Sequence, residues 1–244
     1  MEDNLRQYIR RRNSEYRDSV LSSLDSVRLR TLIAKFNPFL GGSTCPTPKE
    51  LVSTALESWF MKSQQTKFGH VLEDIATNIL GNPKSATAGL DQDLIRGDKR
   101  FLLSFKSGGS WGNSQSTDGQ ETGFKGARKV ITQNDKSKEI ISVMLIFYGK
   151  CKVAKPKHAD WKLVGQDAWY FLSKDDNLYL EIVDELAHGV EEYSLQLEAK
   201  KQIALTRLQG ELASKVDGKS WRRWIAEFTC GNFCHDPRLM RLMQ

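Results

Sequence analysis

Ile140-Ile141-Ser142-Val143-Met144-Leu145-Ile146-Phe147 is the stretch that most limits how this chain can fold. A near-continuous apolar run of this length reads as a strand buried on both faces. Such a strand needs a covering layer on each side, so the sheet around it is flanked by helices. Phe101-Leu102-Leu103 makes the same demand where a second strand, Lys99 to Lys106, begins.

That second strand carries the polar residues of greatest interest. Leu90 to Arg96 reads as a strand before it, and Gly97-Asp98 between them is the glycine-first, two-residue loop of a type II′ hairpin. Pairing Arg96 with Lys99 makes paired residue numbers sum to a constant, which sets Asp91 opposite Ser104. Strand side chains alternate faces, so Leu102, Ser104 and Lys106 share one face. Asp91 falls on that face, with Lys106 as its diagonal neighbour; directly opposed Cβ atoms lie about 4.5–5.5 Å apart. A carboxylate, a hydroxyl and an ammonium thus meet at the end of a hairpin.

This set suits metal-dependent phosphodiester cleavage. Mg²⁺ takes carboxylate, carbonyl and water oxygens. It activates a water and neutralises charge on the scissile phosphate. A nearby lysine orients or deprotonates that water and holds a phosphate oxygen. The bland alternative is a solvated surface pair. Phe101-Leu102-Leu103 argues against it, because a buried strand that ends in Ser-Phe-Lys looks like a core strand opening into a cleft.

Bulk composition narrows the class without deciding it. The 244 residues are 39% hydrophobic and 27% charged, as in a globular protein, and the net charge of +6 fits a nucleic-acid partner. No apolar run approaches the roughly 20 residues of a membrane span. The polar N-terminus is not a signal peptide. Four dispersed cysteines make no disulfide scaffold, which points to a reducing cytoplasm. Cys230, Cys234 and His235 lack the second Cys/His pair of a structural zinc site, so idle thiols are the simpler reading.

The flanking segments read mostly as helix. Residues 1–40 carry Val20, Leu21, Leu24, Val27 and Leu32 at helical spacing, and the Arg10-Arg11-Arg12 run reads as a solvated face. Residues 37–43 break that helix, and Thr47 or Pro48 opens another with Leu51, Ala55, Leu56, Trp59 and Phe60 inward. Gln64 to Leu80 is a further helix, with Glu73 beside its apolar stripe. Residues 107–115 form a glycine-rich loop in which Trp111 could stack or wedge and Asn113 and Gln115 could read base edges. Phe124 to Ile131 is a short helix carrying Lys125, Arg128 and Lys129 toward phosphates. Lys150, Lys152, Lys155, Lys157 and Lys162 form the densest basic patch, suited to the DNA backbone. Leu163 to Gly165 is a short strand and Gln166 to Leu172 a short helix, with Asp167 at its first turn. Leu178 to Val216 is helical, with a stripe of Leu205, Leu208, Leu212 and Val216, and a last helix precedes Gly231.

Several short pieces, in order, resemble the type II restriction endonucleases of the PD-(D/E)XK superfamily, and within it the group that cuts GGNCC-type palindromes. They are Phe36-Asn37-Pro38-Phe39, Lys67 to Glu73, Gly89-Leu90-Asp91, Leu102 to Gly108, Ile146 to Lys150 and Gly165 to Trp169. The resemblance implies an α/β (α+β) fold: a mixed central β-sheet flanked by helices, restriction-endonuclease-like, with helical N- and C-terminal additions. It implies a homodimer that cuts double-stranded DNA at a palindrome with Mg²⁺, with no membrane and no small-molecule cofactor. The expected parts are an N-terminal helical region at 1–60, a nuclease core at 61–184 and a C-terminal helical region at 185–244 able to dimerise, with one continuous domain as the alternative.

By motif position Asp91 is the metal-binding carboxylate and Lys106 the catalytic lysine. The superfamily usually places Asp or Glu two residues before that lysine, where this chain has Ser104. Ser104 could hold a water and the Phe105 backbone carbonyl could be a ligand. Glu73 is the acid expected to compensate, with Asp93 the second choice. Ser107, Trp111, Asn113, Gln115, Lys125, Arg128, Lys129, Lys150, Lys152, Lys155 and Lys157 are expected on DNA. A DNA-binding protein on a degenerate nuclease fold, and a repair or recombination nuclease without sequence specificity, stay open as alternatives.

Overall fold

A computed structural model describes residues 1–81, 85, 89–108, 114–134, 139–150, 152–216 and 220–231. Trp111, Asn113, Cys234 and His235 lie outside the described residues, as does the side chain of Gln115. The elements in chain order are α1 (Asp3–Ser26), α2 (Leu29–Ile33), α3 (Pro38–Thr44), α4 (Pro48–Leu80), β1 (Gln92–Arg96), β2 (Lys99–Gly108), α5 (Ser114–Asn134), β3 (Glu139–Tyr148), β4 (Lys152–Ala154), β5 (Trp161–Val164), α6 (Gln166–Ser173), α7 (Leu178–Ala187), α8 (Val190–Val216) and α9 (Trp221–Cys230). The chain forms two compact units, one of residues 1–16 and 66–190 and the other of residues 17–65 and 191–244.

The first unit holds a mixed five-stranded sheet in the order β1-β2-β3-β5-β4. β1 and β2 are antiparallel, β2 and β3 parallel, β3 and β5 parallel, and β4 and β5 antiparallel. This is the α+β, restriction-endonuclease-like arrangement that the motifs implied. β3 has the double burial its sequence demands: Ser142 to Phe147 are all buried. On one face Leu103, Phe105, Val143, Leu145 and Phe147 pack against α4, α6 and α7 through Val71, Ile75, Trp169 and Ile182, among others. Trp169 stacks on Phe147 at 4.7 Å and donates its indole N–H to the Phe147 carbonyl at 2.9 Å. On the other face Leu102 packs against Phe124, Ala127 and Ile131 of α5. Each large aliphatic side chain buried this way contributes about 1.5–3 kcal/mol.

The β1–β2 hairpin has the expected register, with Arg96 opposite Lys99 and Gln92 opposite Leu103. Gly97 has φ 62° while Asp98 does not enter the positive-φ region, as a type II′ turn requires. β1 starts at Gln92 rather than Leu90. Gly89, at φ 86°, turns the chain toward α5, and Leu90 joins the α5-side core.

The helices depart from the sequence reading in several places. Residues 37–43 do not simply break a helix: Asn37 caps α3, its Oδ1 accepting from the N–H groups of Phe39 and Leu40 at 3.0 and 3.2 Å, with Pro38 in the first turn. The two helices expected between residues 47 and 80 are one, α4, opened by a Thr47–Glu50 capping box. α5 is much longer than Phe124–Ile131 and begins at Ser114, so Gln115 lies in its first turn and not in a loop. Part of the basic patch is the edge strand β4, which the sequence reading did not assign. His188-Gly189, with Gly189 at φ 69°, separates α7 from α8. The buried stripe of α8 uses Ala204 in place of Leu205.

The Arg10-Arg11-Arg12 run is not a merely solvated face. Arg10 pairs with Glu185 of α7 at 2.5 Å and Arg12 with Asp74 of α4. The elements among the described residues of the second unit are all helices, with buried Leu24, Leu51, Phe60, Leu208, Leu212 and Ile225. Among the described residues no helix is long and apolar enough to cross a membrane.

Candidate active site and basic cleft

Asp91 sits one residue before β1, whose ladder with β2 ends at the Gln92–Leu103 pair. Its backbone is fixed on both sides: its N–H donates to the Leu103 carbonyl at 3.0 Å, and its carbonyl accepts from the Ser85 N–H at 3.1 Å. Its side chain turns to the β2 backbone. Oδ2 accepts the Phe105 N–H at 2.7 Å, a charge-assisted bond that aims the carboxylate. Asp91 is half-buried.

Ser104 and Lys106 follow on β2, beside Met144 and Ile146 of β3 in the parallel register. Lys106 is half-buried, whereas Ser104 is only 1% exposed. A buried hydroxyl needs a partner. Ser104 finds one in Gln120 of α5, donating to Oε1 at 2.8 Å. Gln120 is the site residue that sequence reasoning missed. The signal was present: Gln120, Phe124, Ala127 and Ile131 follow one helical stripe, and the last three are core residues.

A close backbone approach sets the depth of α5 on the hairpin. A Cβ built on Gly89 would lie 2.9 Å from the Gly123 Cα, so both glycines are needed for α5 to lie this near Asp91.

The other predicted acids are placed differently. Asp93 is held by Arg100, with the guanidinium Nε 2.9 and 3.1 Å from its two carboxylate oxygens. Glu73 on α4 has its Oε2 3.4 Å from His70 Nδ1. Gly69, one turn earlier, faces Ser107 of β2: a Cβ there would be 3.6 Å from the Ser107 Oγ. Among the described residues no three His, Cys, Asp or Glu side chains converge closely enough to hold a metal ion. Asp91, Glu73 and Asp93 therefore do not form an acidic cage. Among the described residues the hairpin offers the oriented Asp91 carboxylate and, next to Lys106 in the chain, the Phe105 carbonyl as hard oxygens. A sparse set of hard oxygens fits Mg²⁺, which keeps several waters and takes one or two carboxylates plus substrate phosphate.

The two basic segments converge. Lys125 and Arg128 of α5 line one open cleft of about 860 Å³ together with Lys155, Lys157 and His158 from the segment between β4 and β5. Lys129 is exposed on α5, and Lys150 and Lys152 are exposed near the end of β3 and on β4. Lys125 pairs with Glu121 at 2.5 Å and Arg128 with Asp160. Exposed pairs of this kind contribute only about 0–1 kcal/mol, so a phosphate can compete for both cations.

Asp160 is the acid that shapes the cleft. It accepts from the Ser142 N–H and hydroxyl, both at 2.7 Å. Burial opposes its ionisation, but these bonds and the Arg128 guanidinium outweigh it and hold the carboxyl below its ordinary range. His158 is also lowered, which for an imidazole favours the neutral form: burial first, then Lys162, bring its pKa below 6.5, with Glu121 opposing. Lys155 lies over the Trp161 ring at 4.5 Å, which fixes its ammonium on the cleft wall. Gln120 and Arg128 are two turns apart on α5, about 12 Å at 1.5 Å per residue. One helix thus links the hairpin site to the basic cleft.

The model of a family described as "Type II restriction endonuclease EcoO109I" matches residues 3–193 of this chain. No curated protein matches it.

Proposed function

Because the chain belongs to the EcoO109I family of type II restriction endonucleases and is a site-specific deoxyribonuclease, we propose that Asp91 and Lys106 are its catalytic pair, and that it cuts both strands of a short DNA palindrome as a Mg²⁺-dependent homodimer. Enzymes of this family use a divalent metal. The observation that carries the choice of residues is the 2.7 Å bond from the Phe105 N–H to Asp91, which holds a carboxylate at the end of the strand that bears Lys106.

Asp91 and the Phe105 carbonyl would hold the cation, with Glu73 of α4 proposed as the further acid. When bound, Mg²⁺ supplies positive charge to the scissile phosphate and makes a water acidic. The Phe105 N–H keeps the Asp91 carboxylate in one orientation, so no reorganisation is needed at the reacting phosphate. The Lys106 ammonium holds a non-bridging phosphate oxygen and the attacking water in line with the scissile bond. Lys125, Arg128, Lys129, Lys150, Lys152, Lys155 and Lys157 neutralise backbone phosphates, and Ser107, Trp111, Asn113 and Gln115 contact DNA.

A palindrome is matched by a two-fold dimer. The C-terminal helices are the proposed interface. α8 exposes Leu195 (76%) and Ile203 (64%) on one stripe, an apolar surface suited to a second copy. Incubation of unmethylated DNA with the protein in Mg²⁺ tests the proposal. Discrete fragments that vanish with chelator and in Lys106→Ala support it; a folded wild-type protein that leaves such DNA intact overturns it.

A further inference from the structure

Tyr148 is the last residue of β3, and Gly149, at φ 134°, ends the strand directly after it. In the parallel register Lys106 of β2 lies beside Ile146 of β3, and Gly108 beside Tyr148. The intervening Phe105, Leu145 and Phe147 fill the core on the opposite face. Side chains alternate along each strand, so Tyr148 stands on the face that carries Lys106. Both lie at the end of the sheet where the Asp91 carboxylate accepts from Phe105.

The Tyr148 ring does not point straight out from its strand. It lies across Gly108: a Cβ built there would be 2.2 Å from the Tyr148 Cζ and 2.4 Å from its hydroxyl oxygen. A glycine leaves that space open, so Gly108 is the seat of the phenol. The seat sets the hydroxyl beside the second residue after Lys106, about 7 Å along the strand. Tyr148 is nevertheless 60% exposed, and among the described residues its hydroxyl has no hydrogen-bond partner. Exposed Lys150 and Lys152 continue a positive surface beyond it. A seated ring that presents an O–H donor next to a phosphate-holding lysine suits the adjoining phosphate of the same strand.

We propose that Tyr148 is a substrate-positioning residue, whose hydroxyl, seated over Gly108, donates to the DNA phosphate next to the one held by Lys106. The inference rests on the nuclease reading above and adds a residue to it. The contact is neutral on the protein side. It strengthens binding without neutralising a phosphate, unlike the lysines of the cleft, and so leaves the salt dependence of binding as it is. It is made before and during reaction alike, so it acts on KM and not on kcat.

Tyr148→Phe tests this, because it keeps the ring on its seat and removes only the donor. KM for unmethylated DNA in Mg²⁺ should rise about tenfold, the worth of one hydrogen bond to a charged group. The variant should keep kcat within about twofold of wild type and an unchanged slope of log K against log salt. Gly108→Ala should drive the ring off its seat and raise KM similarly, with no further rise when combined with Tyr148→Phe. Circular dichroism checks each fold, and should Gly108→Ala not fold, Tyr148→Phe decides alone. An unchanged KM in Tyr148→Phe means that the ring only packs on Gly108, and overturns the inference. Filter binding of the same DNA without Mg²⁺ separates the two readings. Cutting by wild type with Tyr148→Phe unaltered in both KM and binding sinks only the role of Tyr148. A wild type that binds DNA about tenfold more tightly than Tyr148→Phe but does not cut sinks only the nuclease. A wild type that neither binds nor cuts sinks both.

Discussion

The Phe105 backbone N–H donates to the Asp91 carboxylate at 2.7 Å across the end of the β1–β2 hairpin. Orientation and charge can be separated here. Asp91→Asn keeps an oxygen for the Phe105 N–H but removes the negative charge. It should lower cleavage by about a thousandfold or more for loss of a metal-site carboxylate, while costing about 1 kcal/mol of stability as a charged hydrogen bond becomes a neutral one. Asp91→Ala should lose the same activity and also about 1.5–3 kcal/mol of stability, since a hydrogen bond to a charged group goes with it. Plasmid cleavage and urea denaturation of the two variants check this.

Gly89 and Gly123 should be intolerant of side chains. At Gly89 a methyl group would meet the Gly123 backbone at 2.9 Å, from a φ of +86° that L residues rarely adopt. Gly89→Ala should cost about 1–3 kcal/mol. It should also lower kcat, because α5 can no longer seat Gln120 against Ser104. Thermal unfolding and steady-state cleavage on one preparation would report both effects.

The lysines of the cleft should act through charge alone. Lys155→Ala and Lys157→Ala should weaken DNA binding similarly on any sequence, and each should reduce the slope of log K against log salt by about 1. Electrophoretic mobility shifts over a salt series measure that slope. A change in sequence preference with an unaltered slope would count against a backbone role.

His158 should titrate below its ordinary value of 6.5. Its burial favours the neutral imidazole. A folded pKa depressed below the unfolded one means the native state resists the proton that the unfolded chain takes up. Stability is therefore full above the unfolded pKa and falls as pH drops from about 6.5 toward the folded value. His158→Gln should remove that part of the pH dependence. Histidine NMR titration gives the midpoint directly, and a midpoint at or above 6.5 contradicts the assignment.

The sheet and the hairpin were legible in the sequence because their signals are local and strong. Val143 to Phe147 read as a doubly buried strand, and Gly97-Asp98 fixed the register that pairs Arg96 with Lys99 and Gln92 with Leu103. The helices were less legible. Gly119, Gly123 and Gly126 weaken the local helical signal of α5, yet packing of Phe124, Ala127 and Ile131 on Leu102 overrides it. At the candidate site, alternation and register bring Asp91, Ser104 and Lys106 forward only as candidates. Gln120 could not be found this way, because its role depends on how far α5 slides along the sheet, and the contact between Gly89 and Gly123 that sets this joins residues far apart in the chain. The Asp160 contacts with Ser142 and Arg128 were hidden for the same reason.

Sequencing the ends of fragments produced from unmethylated DNA in Mg²⁺ is the most direct test that Asp91 and Lys106 form a site-specific cutting centre. Every end should fall at one short palindrome, with both strands cut at symmetric positions, and no ends should arise in Asp91→Ala or Lys106→Ala. Ends scattered without a common sequence, or cutting that persists in folded Lys106→Ala, would contradict it.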